Sequence, residues 1–116
     1  MDVTVEQDAG VTVVTISGDL EAGNAPALRD RLDGLLSEGA QQFVIDLSGV
    51  RFMDSAGIAT LVQLFKRVRI GHGDVRLCSL QPSVEKIFKL VRLHRVFDTF
   101  PDRPAAVESY GDPGPA

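Results

Sequence analysis

Apolar and polar residues alternate at the start of the chain in a way that predicts a β-hairpin. Val3 and Val5 form one short β-rich run, and residues 11–16 form a second that is dominated by valine. The Gln-Asp-Ala-Gly sequence at residues 7–10 is typical of a turn between two strands. We therefore expect two antiparallel strands, of which the first is an edge strand with one buried face.

Beyond the hairpin, segments with helical periodicity alternate with short apolar runs. A helix is predicted from Asn24 or Ala25 onwards, with Pro26 in its first turn, and Gly39 is placed to end it in a left-handed conformation. Residues 42–47 are almost wholly apolar, which is typical of a central parallel strand buried on both faces. The remaining predicted elements are a helix that follows the Asp54-Ser55 loop, a strand at 75–80, a helix that begins at Pro82, a strand at 97–100 and a helix at 102–109. The inward positions of the helix that begins at Pro82 are Val84, Ile87, Phe88 and Val91.

This order of elements predicts one α/β domain. Strands that alternate with helices after an N-terminal hairpin imply a mixed, mostly parallel sheet with the helices packed against it. The domain covers residues 1–110, and residues 111–116 are expected to form a flexible C-terminal tail. Sites in such sheets favour the loops beyond the carboxyl ends of the strands. Gly18-Asp19-Leu20 and Asp54-Ser55 each follow a strand, so we expect them to meet at one edge.

The segment from Asp46 to Gly57 carries the most informative chemistry in the chain. We expect Ser55 to be the N-cap of a helix, with its hydroxyl at the surface beside backbone N–H groups that lack partners. A phosphate on that hydroxyl would add about −1.5 to −2 charges in the positive field of the helix N-terminus. We expect Phe52 to anchor the loop in the core and Met53 to be partly exposed.

Composition and charge exclude several kinds of site. The chain has 116 residues, a net charge of −4 and one cysteine, Cys78, which we expect to be buried. The sequence has neither the ligand spacing of a metal site nor a glycine-rich phosphate loop, so we expect no metal and no cofactor. No apolar stretch approaches the roughly 18–20 residues of a membrane span, and no leader precedes the domain, so we expect a cytoplasmic protein without membrane contact.

Residues 66–95 are strongly basic, with eight lysine and arginine residues against Asp74 and Glu85. The simplest interpretation is a solvated outer face on two helices, and the alternative is the electrostatic steering of a protein partner. The segment lacks the interleaved aromatic residues typical of nucleic-acid surfaces. We therefore expect no nucleic-acid partner.

Ser55 also has the residue type of a catalytic nucleophile, but such a serine needs a base within hydrogen-bond reach. Only His72 and His94 are available, and each precedes a predicted strand, which places it at the opposite edge of the sheet. No Gly-x-Ser-x-Gly motif is present. We therefore expect a protein that is not an enzyme.

Three motifs, in this order along the chain, resemble those of a known family. They are Gly18-Asp19-Leu20, the segment Asp46-Leu47 with Val50 and the residues from Phe52 to Gly57, and the late run from Phe97 to Pro101. Together they resemble the STAS domain, in particular that of the bacterial anti-anti-sigma factors, over residues 3–109. Many members carry a second serine where this chain has Ala56, so Ser55 is the only hydroxyl in the core of the loop.

The resemblance implies an anti-sigma factor antagonist that regulates sigma-factor-dependent transcription. Its partner would be an anti-sigma factor that is also a serine kinase with a histidine-kinase-like, ATP-binding fold. That kinase would bind the unphosphorylated chain and then phosphorylate Ser55, and a phosphatase would reverse the modification. The implied partner-binding residues are Asp19, Leu20, Met53, Asp54, Ser55, Ala56 and Gly57. The alternative is an interaction subunit of a larger sensory or lipid-transport assembly.

Overall fold

A computed structural model of the protein describes residues 1–111. Its five strands are β1 (Asp2–Asp8), β2 (Val11–Ser17), β3 (Gln42–Gly49), β4 (Asp74–Cys78) and β5 (Asp98–Phe100). Its four α-helices are α1 (Ala25–Ser37), α2 (Ser55–Ile70), α3 (Pro82–Leu90) and α4 (Arg103–Gly111), and a short 3-10 helix covers Leu93–Arg95. Within residues 1–111, no helix has the length and apolarity that crossing a membrane requires.

The strands form one mixed sheet in the order β1-β2-β3-β4-β5. β1 pairs with β2 in antiparallel fashion, and the other neighbouring pairs are parallel. Ala9 and Gly10 both have positive φ, 52° and 82°, as the tightest hairpin turns require. The predicted fold class is therefore confirmed: an α/β domain with an N-terminal hairpin and a mostly parallel sheet.

Both faces of the sheet are covered, and β3 is buried on both. Phe43, Ile45 and Leu47 of β3 pack into the larger apolar cluster together with the inward stripes of α1, α2 and α3. Val44 points to the opposite face, where it packs with Cys78 and with Ala106 and Val107 of α4. The continuous apolar run of β3 follows from this double burial, because successive strand residues point to opposite faces.

Several predicted element boundaries differ from those of the structure by one or two residues. β4 ends at Cys78 rather than at residue 80, and α4 begins at Arg103 and extends to Gly111. Val91 is 52% exposed, so the prediction that it points inward was wrong. The reason is that α3 ends at Leu90 and Arg92 adopts a left-handed conformation with φ 62°. Except for Gly111, the predicted tail at 111–116 lies outside the described residues.

Cys78 is buried, as predicted from its strand position. Burial among apolar side chains disfavours the thiolate, and together with the charge of Asp46 it raises the pKa of Cys78 to about 11. The thiol is therefore a packed apolar group and remains protonated near neutral pH.

Candidate functional site

The loop between β2 and α1 (residues 18–24) and the loop between β3 and α2 (residues 50–54) lie side by side. The backbone N–H of Leu20 donates to the carbonyl oxygen of Phe52 over 3.0 Å, and the N–H of Asp54 donates to the carbonyl oxygen of Leu20 over 3.1 Å. These bonds form a parallel bridge between Leu20 and Met53. The prediction that the two motifs meet at the carboxyl edge of the sheet is confirmed.

The carboxylate of Asp54 joins the same two loops and also caps α2. One oxygen, Oδ1, accepts from the N–H of Ala56 at 2.9 Å and from that of Gly57 at 3.0 Å. The other, Oδ2, accepts from the N–H of Ala22 at 2.9 Å. Hydrogen bonds from Gly57 and then Ala22 favour the ionised form, and they hold the pKa of Asp54 below its usual value although partial burial opposes the shift.

Ser55 is the first residue of α2, and its side chain is exposed. The prediction that Ser55 is the N-cap was wrong, because Asp54 takes that position and its carboxylate occupies the N–H groups of Ala56 and Gly57. The two carboxylate oxygens of Asp54 serve the helix and the neighbouring loop together. These two amide donors are consequently not free to receive a phosphate.

Phe52 and Met53 have the opposite placement to the predicted one. Met53 is only 2% exposed and packs in the core, whereas Phe52 is 46% exposed. The bridge to Leu20 keeps this stretch extended, and successive residues in an extended chain point to opposite sides. Because Met53 points inward, Phe52 points towards solvent.

Three of the seven predicted partner-binding residues are buried and support the loops from beneath. Leu20 is fully buried, like Met53, and Gly57 is buried where α2 approaches the β2–α1 loop. A Cβ at Gly57 would lie 2.7 Å from the carbonyl oxygen of Leu20 and 2.8 Å from the side chain of Met53. Leu20, Met53 and Gly57 therefore lie beneath the surface of the two loops, and their contact with a partner stays a prediction. The predicted residues that remain at the surface are Asp19 and Ser55, with Asp54 and Ala56 partly exposed.

Asn24 fixes the β2–α1 loop and was missed as a site residue. Its side-chain nitrogen donates to the carbonyl oxygen of Asp19 at 2.7 Å, and its side-chain oxygen accepts from the N–H of Glu21 at 2.9 Å. An asparagine directly before a helix suggests an N-cap, but this one bonds backwards into the loop and makes no side-chain cap bond. On the other side, Ser83 of α3 donates to the carbonyl oxygen of Arg51 over 2.7 Å.

The cavities that His72 and His94 line do not include Ser55. His72 lines a cavity with Gly39 and Gln42 at the amino edge of the sheet, as predicted. His94 lies in the 3-10 helix that precedes β5 and lines a cavity with Ser79 and Pro101.

Several side chains of the basic segment form ion pairs at the surface. Lys89 pairs with Glu85 at 2.8 Å, Arg76 with Asp74 at 3.3 Å, and Arg67 with Asp33. Among residues 1–111, no three His, Cys, Asp or Glu side chains group in a way that could hold a metal ion.

The family model of the STAS domain matches residues 2–106, which is nearly all of the described chain. The chain belongs to the STAS domain family. The joined β2–α1 and β3–α2 loops carry two of the three motifs that resemble this family.

Several relatives of this STAS domain are named anti-sigma factor antagonists. The anti-sigma-B factor antagonist of Bacillus subtilis is 32% identical over 98 residues, which cover 84% of this chain and 89% of the relative. The crystal structure of an anti-sigma factor antagonist from Mycobacterium paratuberculosis superposes with a TM-score of 0.86 at 26% identity, covering 93% of this chain and 92% of that one. The Bacillus cell fate determinant SpoIIAA in its phosphorylated form shares the fold, with a TM-score of 0.73 at 16% identity over 93% of this chain and 99% of that one.

Proposed function

We propose that this STAS domain is an anti-sigma factor antagonist that is switched by phosphorylation of Ser55. The observation that carries the proposal is the placement of Ser55: an exposed hydroxyl on the first turn of α2, next to two loops that Asp54 fastens together. The names of its relatives support the general role. The regulated residue and the way it is regulated are the proposed part.

The binding partner in this proposal is an anti-sigma factor that is also a serine kinase, with an ATP-binding, histidine-kinase-like fold. It contacts the surface of Asp19, Ser55 and the exposed parts of Asp54 and Ala56 when Ser55 is unmodified. Leu20, Met53 and Gly57 act beneath this surface by holding the two loops in place. Binding of the antagonist occupies the anti-sigma factor and releases the sigma factor for transcription, which places the chain in the bacterial cytoplasm.

The kinase ends the interaction by transferring the γ-phosphoryl group of its own Mg-ATP to the Ser55 oxygen. The bond from the γ-phosphorus to the bridging oxygen of ADP breaks, the new P–O bond forms, and the hydroxyl proton leaves to a base of the kinase. The STAS domain contributes the acceptor and its position, and it needs neither a nucleotide nor a metal of its own. A phosphatase restores the free hydroxyl by hydrolysis.

Phosphorylation weakens the complex because of what surrounds Ser55. The phosphate adds about −1.5 to −2 charges next to Asp54, which is itself held in its ionised form. The N–H groups of Ala56 and Gly57 already bind the Asp54 carboxylate, so these donors do not neutralise the new charge. A dianion without a cationic partner is costly to bury in an interface, and the complex dissociates.

The site assignment is tested by phosphopeptide mass spectrometry. The protein is incubated with Mg-ATP and, one at a time, with each purified serine-kinase anti-sigma factor encoded in the same genome. At least one of them is expected to place a single phosphate on Ser55 and none on Ser48 or Ser79. Dominant label at Ser48 or Ser79 would overturn the assignment, and the absence of label with every kinase would favour a scaffold subunit.

A further inference from the structure

Phe52 is a large apolar side chain held at the surface by a backbone that is fixed on both sides. Its ring is 46% exposed. Its carbonyl oxygen accepts from Leu20, and the carbonyl oxygen of the preceding Arg51 accepts from Ser83 of α3. Met53 is fastened in the core directly after it. This stretch therefore cannot rotate Phe52 inward without breaking the bridge between Leu20 and Met53.

Phe52 lies close enough to Ser55 that a protein acting on the serine also covers the phenylalanine. Three residues of chain span at most about 11 Å. A standard interface of about 800 Å² per partner corresponds to a disc of roughly 16 Å radius. An interface of this size centred on the Ser55 hydroxyl therefore reaches as far as Phe52.

We propose that Phe52 is the aromatic anchor of this interface and inserts into an apolar pocket beside the nucleotide site of the kinase that phosphorylates Ser55. The proposal rests on the proposed function and adds a contact residue and the chemistry of its complement. Aromatic side chains dominate the energetics of many interfaces, and a side chain on a fixed backbone loses little freedom on binding. The pocket selects partners by shape and apolarity, while the charge on Ser55 controls release.

The chain supplies a matched control for this role in Ile70. It is 82% exposed and apolar, but it is the last residue of α2, whereas Ser55 is the first. With a rise of 1.5 Å per residue, these two ends of the helix lie roughly 22 Å apart. Ile70 therefore tests the effect of removing an exposed apolar side chain outside the proposed contact.

The experiment compares Phe52→Ala, Phe52→Leu and Ile70→Ala by calorimetry against the purified kinase that phosphorylates the unmodified protein, with Mg-ADP present. Phe52→Ala is expected to weaken binding at least tenfold, Phe52→Leu less, and Ile70→Ala by less than twofold. Phosphorylation kinetics are expected to show a raised KM for Phe52→Ala with kcat within about threefold, because Phe52 docks and does not touch the reacting atoms. Thermal melts of all three variants serve as the folding control.

Three results would overturn the proposal. If Phe52→Ala binds within twofold of the unmodified protein, Phe52 is not an anchor, although binding and Ser55 phosphorylation by the unmodified protein would still support the proposed function. If the unmodified protein is neither bound nor phosphorylated by any of the kinases, the proposed function fails first. If sedimentation velocity shows a dimer of the free protein that Phe52→Ala abolishes, Phe52 contacts a second copy of the chain instead.

Discussion

The carboxylate of Asp54 accepts a hydrogen bond from the backbone N–H of Ala22, which lies 32 residues earlier in the chain, at 2.9 Å. The same carboxylate caps α2 through Ala56 and Gly57. One side chain therefore fixes the start of the helix that carries Ser55 and the loop that carries Asp19. A site built from two separate segments keeps its shape through this contact.

Replacement of Asp54 separates its two structural roles. Asp54→Ala removes both the cap and the contact with Ala22, so we expect its melting temperature to fall by several degrees. Asp54→Asn keeps one oxygen for the cap but replaces the other with an amide that cannot accept from Ala22. We expect the melting temperature of Asp54→Asn to lie between those of Asp54→Ala and the unmodified protein. Hydrogen exchange at the Ala22 amide should be faster in Asp54→Asn than in the unmodified protein. Unchanged exchange at Ala22 in Asp54→Asn would contradict this account.

Because the pKa of Asp54 is lowered, the stability that this contact contributes depends on pH. A carboxyl whose folded pKa lies below its unfolded value stabilises the fold above the unfolded pKa, and that contribution is lost as pH falls through the folded pKa. The stability difference between the unmodified protein and Asp54→Asn should stay constant from about pH 7 to 5 and narrow below about pH 4, where aspartate normally titrates. Urea titrations across this range measure it. A stability difference that widens as the pH falls would contradict the predicted direction of the Asp54 pKa shift.

Two glycines in helices should respond to alanine in opposite directions. Gly34 lies in α1 with nothing within 4 Å of the place that an added methyl carbon would take, so Gly34→Ala should stabilise by about 0.5–1 kcal/mol through helix propensity. At Gly57 the added carbon would meet the carbonyl oxygen of Leu20 at 2.7 Å. Gly57→Ala should therefore destabilise, by about 1–3 kcal/mol for overpacking. Urea unfolding of both variants measures the two changes in the free energy of unfolding. If Gly57→Ala stabilises the protein, α2 can shift freely.

Cys78 should be inert in the folded protein. Burial and a pKa of about 11 leave on the order of 0.1% thiolate at pH 8, against roughly a quarter for an ordinary cysteine. Alkylation at pH 8 should therefore be at least about a hundredfold slower in buffer than in denaturant. Equal rates would mean that the face covered by α4 opens readily.

Most of the fold could be predicted from the sequence because its signals are local and repeated. Each of three local signals fits one element better than any other. They are the turn at residues 7–10, the continuous apolarity of β3 and the proline in the first turn of α1. The end of α3 was misjudged because apolar spacing continues to Val91, while the chain leaves the helix one residue earlier. Periodicity indicates which face is buried, but it does not show where the backbone turns.

The meeting of the two loops was predicted correctly, but the placement of individual side chains in them was not. Local patterns do not show contacts between distant segments. Sequence order and parallel pairing were enough to bring Asp19 and Ser55 to one edge of the sheet. The reversal of Phe52 and Met53 depends on the bridge to Leu20, a contact between distant segments that no local pattern encodes. The capping role of Asp54 was hidden for a similar reason, because adjacent Asp and Ser are both good caps and only the position of Ala22 favours a carboxylate.

The central claim is that charge at Ser55 controls binding, and two substitutions test it most directly. Ser55→Ala removes the phosphate acceptor, and it should cost little stability because Asp54, not Ser55, caps α2. We expect it to fold normally and to bind the kinase in the presence of Mg-ATP without being released.

Ser55→Asp places a fixed carboxylate beside Asp54 at a helix start where negative charge is tolerated, so it should also fold normally. The decisive measurement is calorimetry of Ser55→Ala and Ser55→Asp against the kinase, with thermal melts as the folding control. We expect Ser55→Ala to bind as tightly as the unmodified protein and Ser55→Asp to bind at least tenfold more weakly, which corresponds to about 1.4 kcal/mol. Equal affinity of the two variants would contradict the claim that charge at this hydroxyl is the switch.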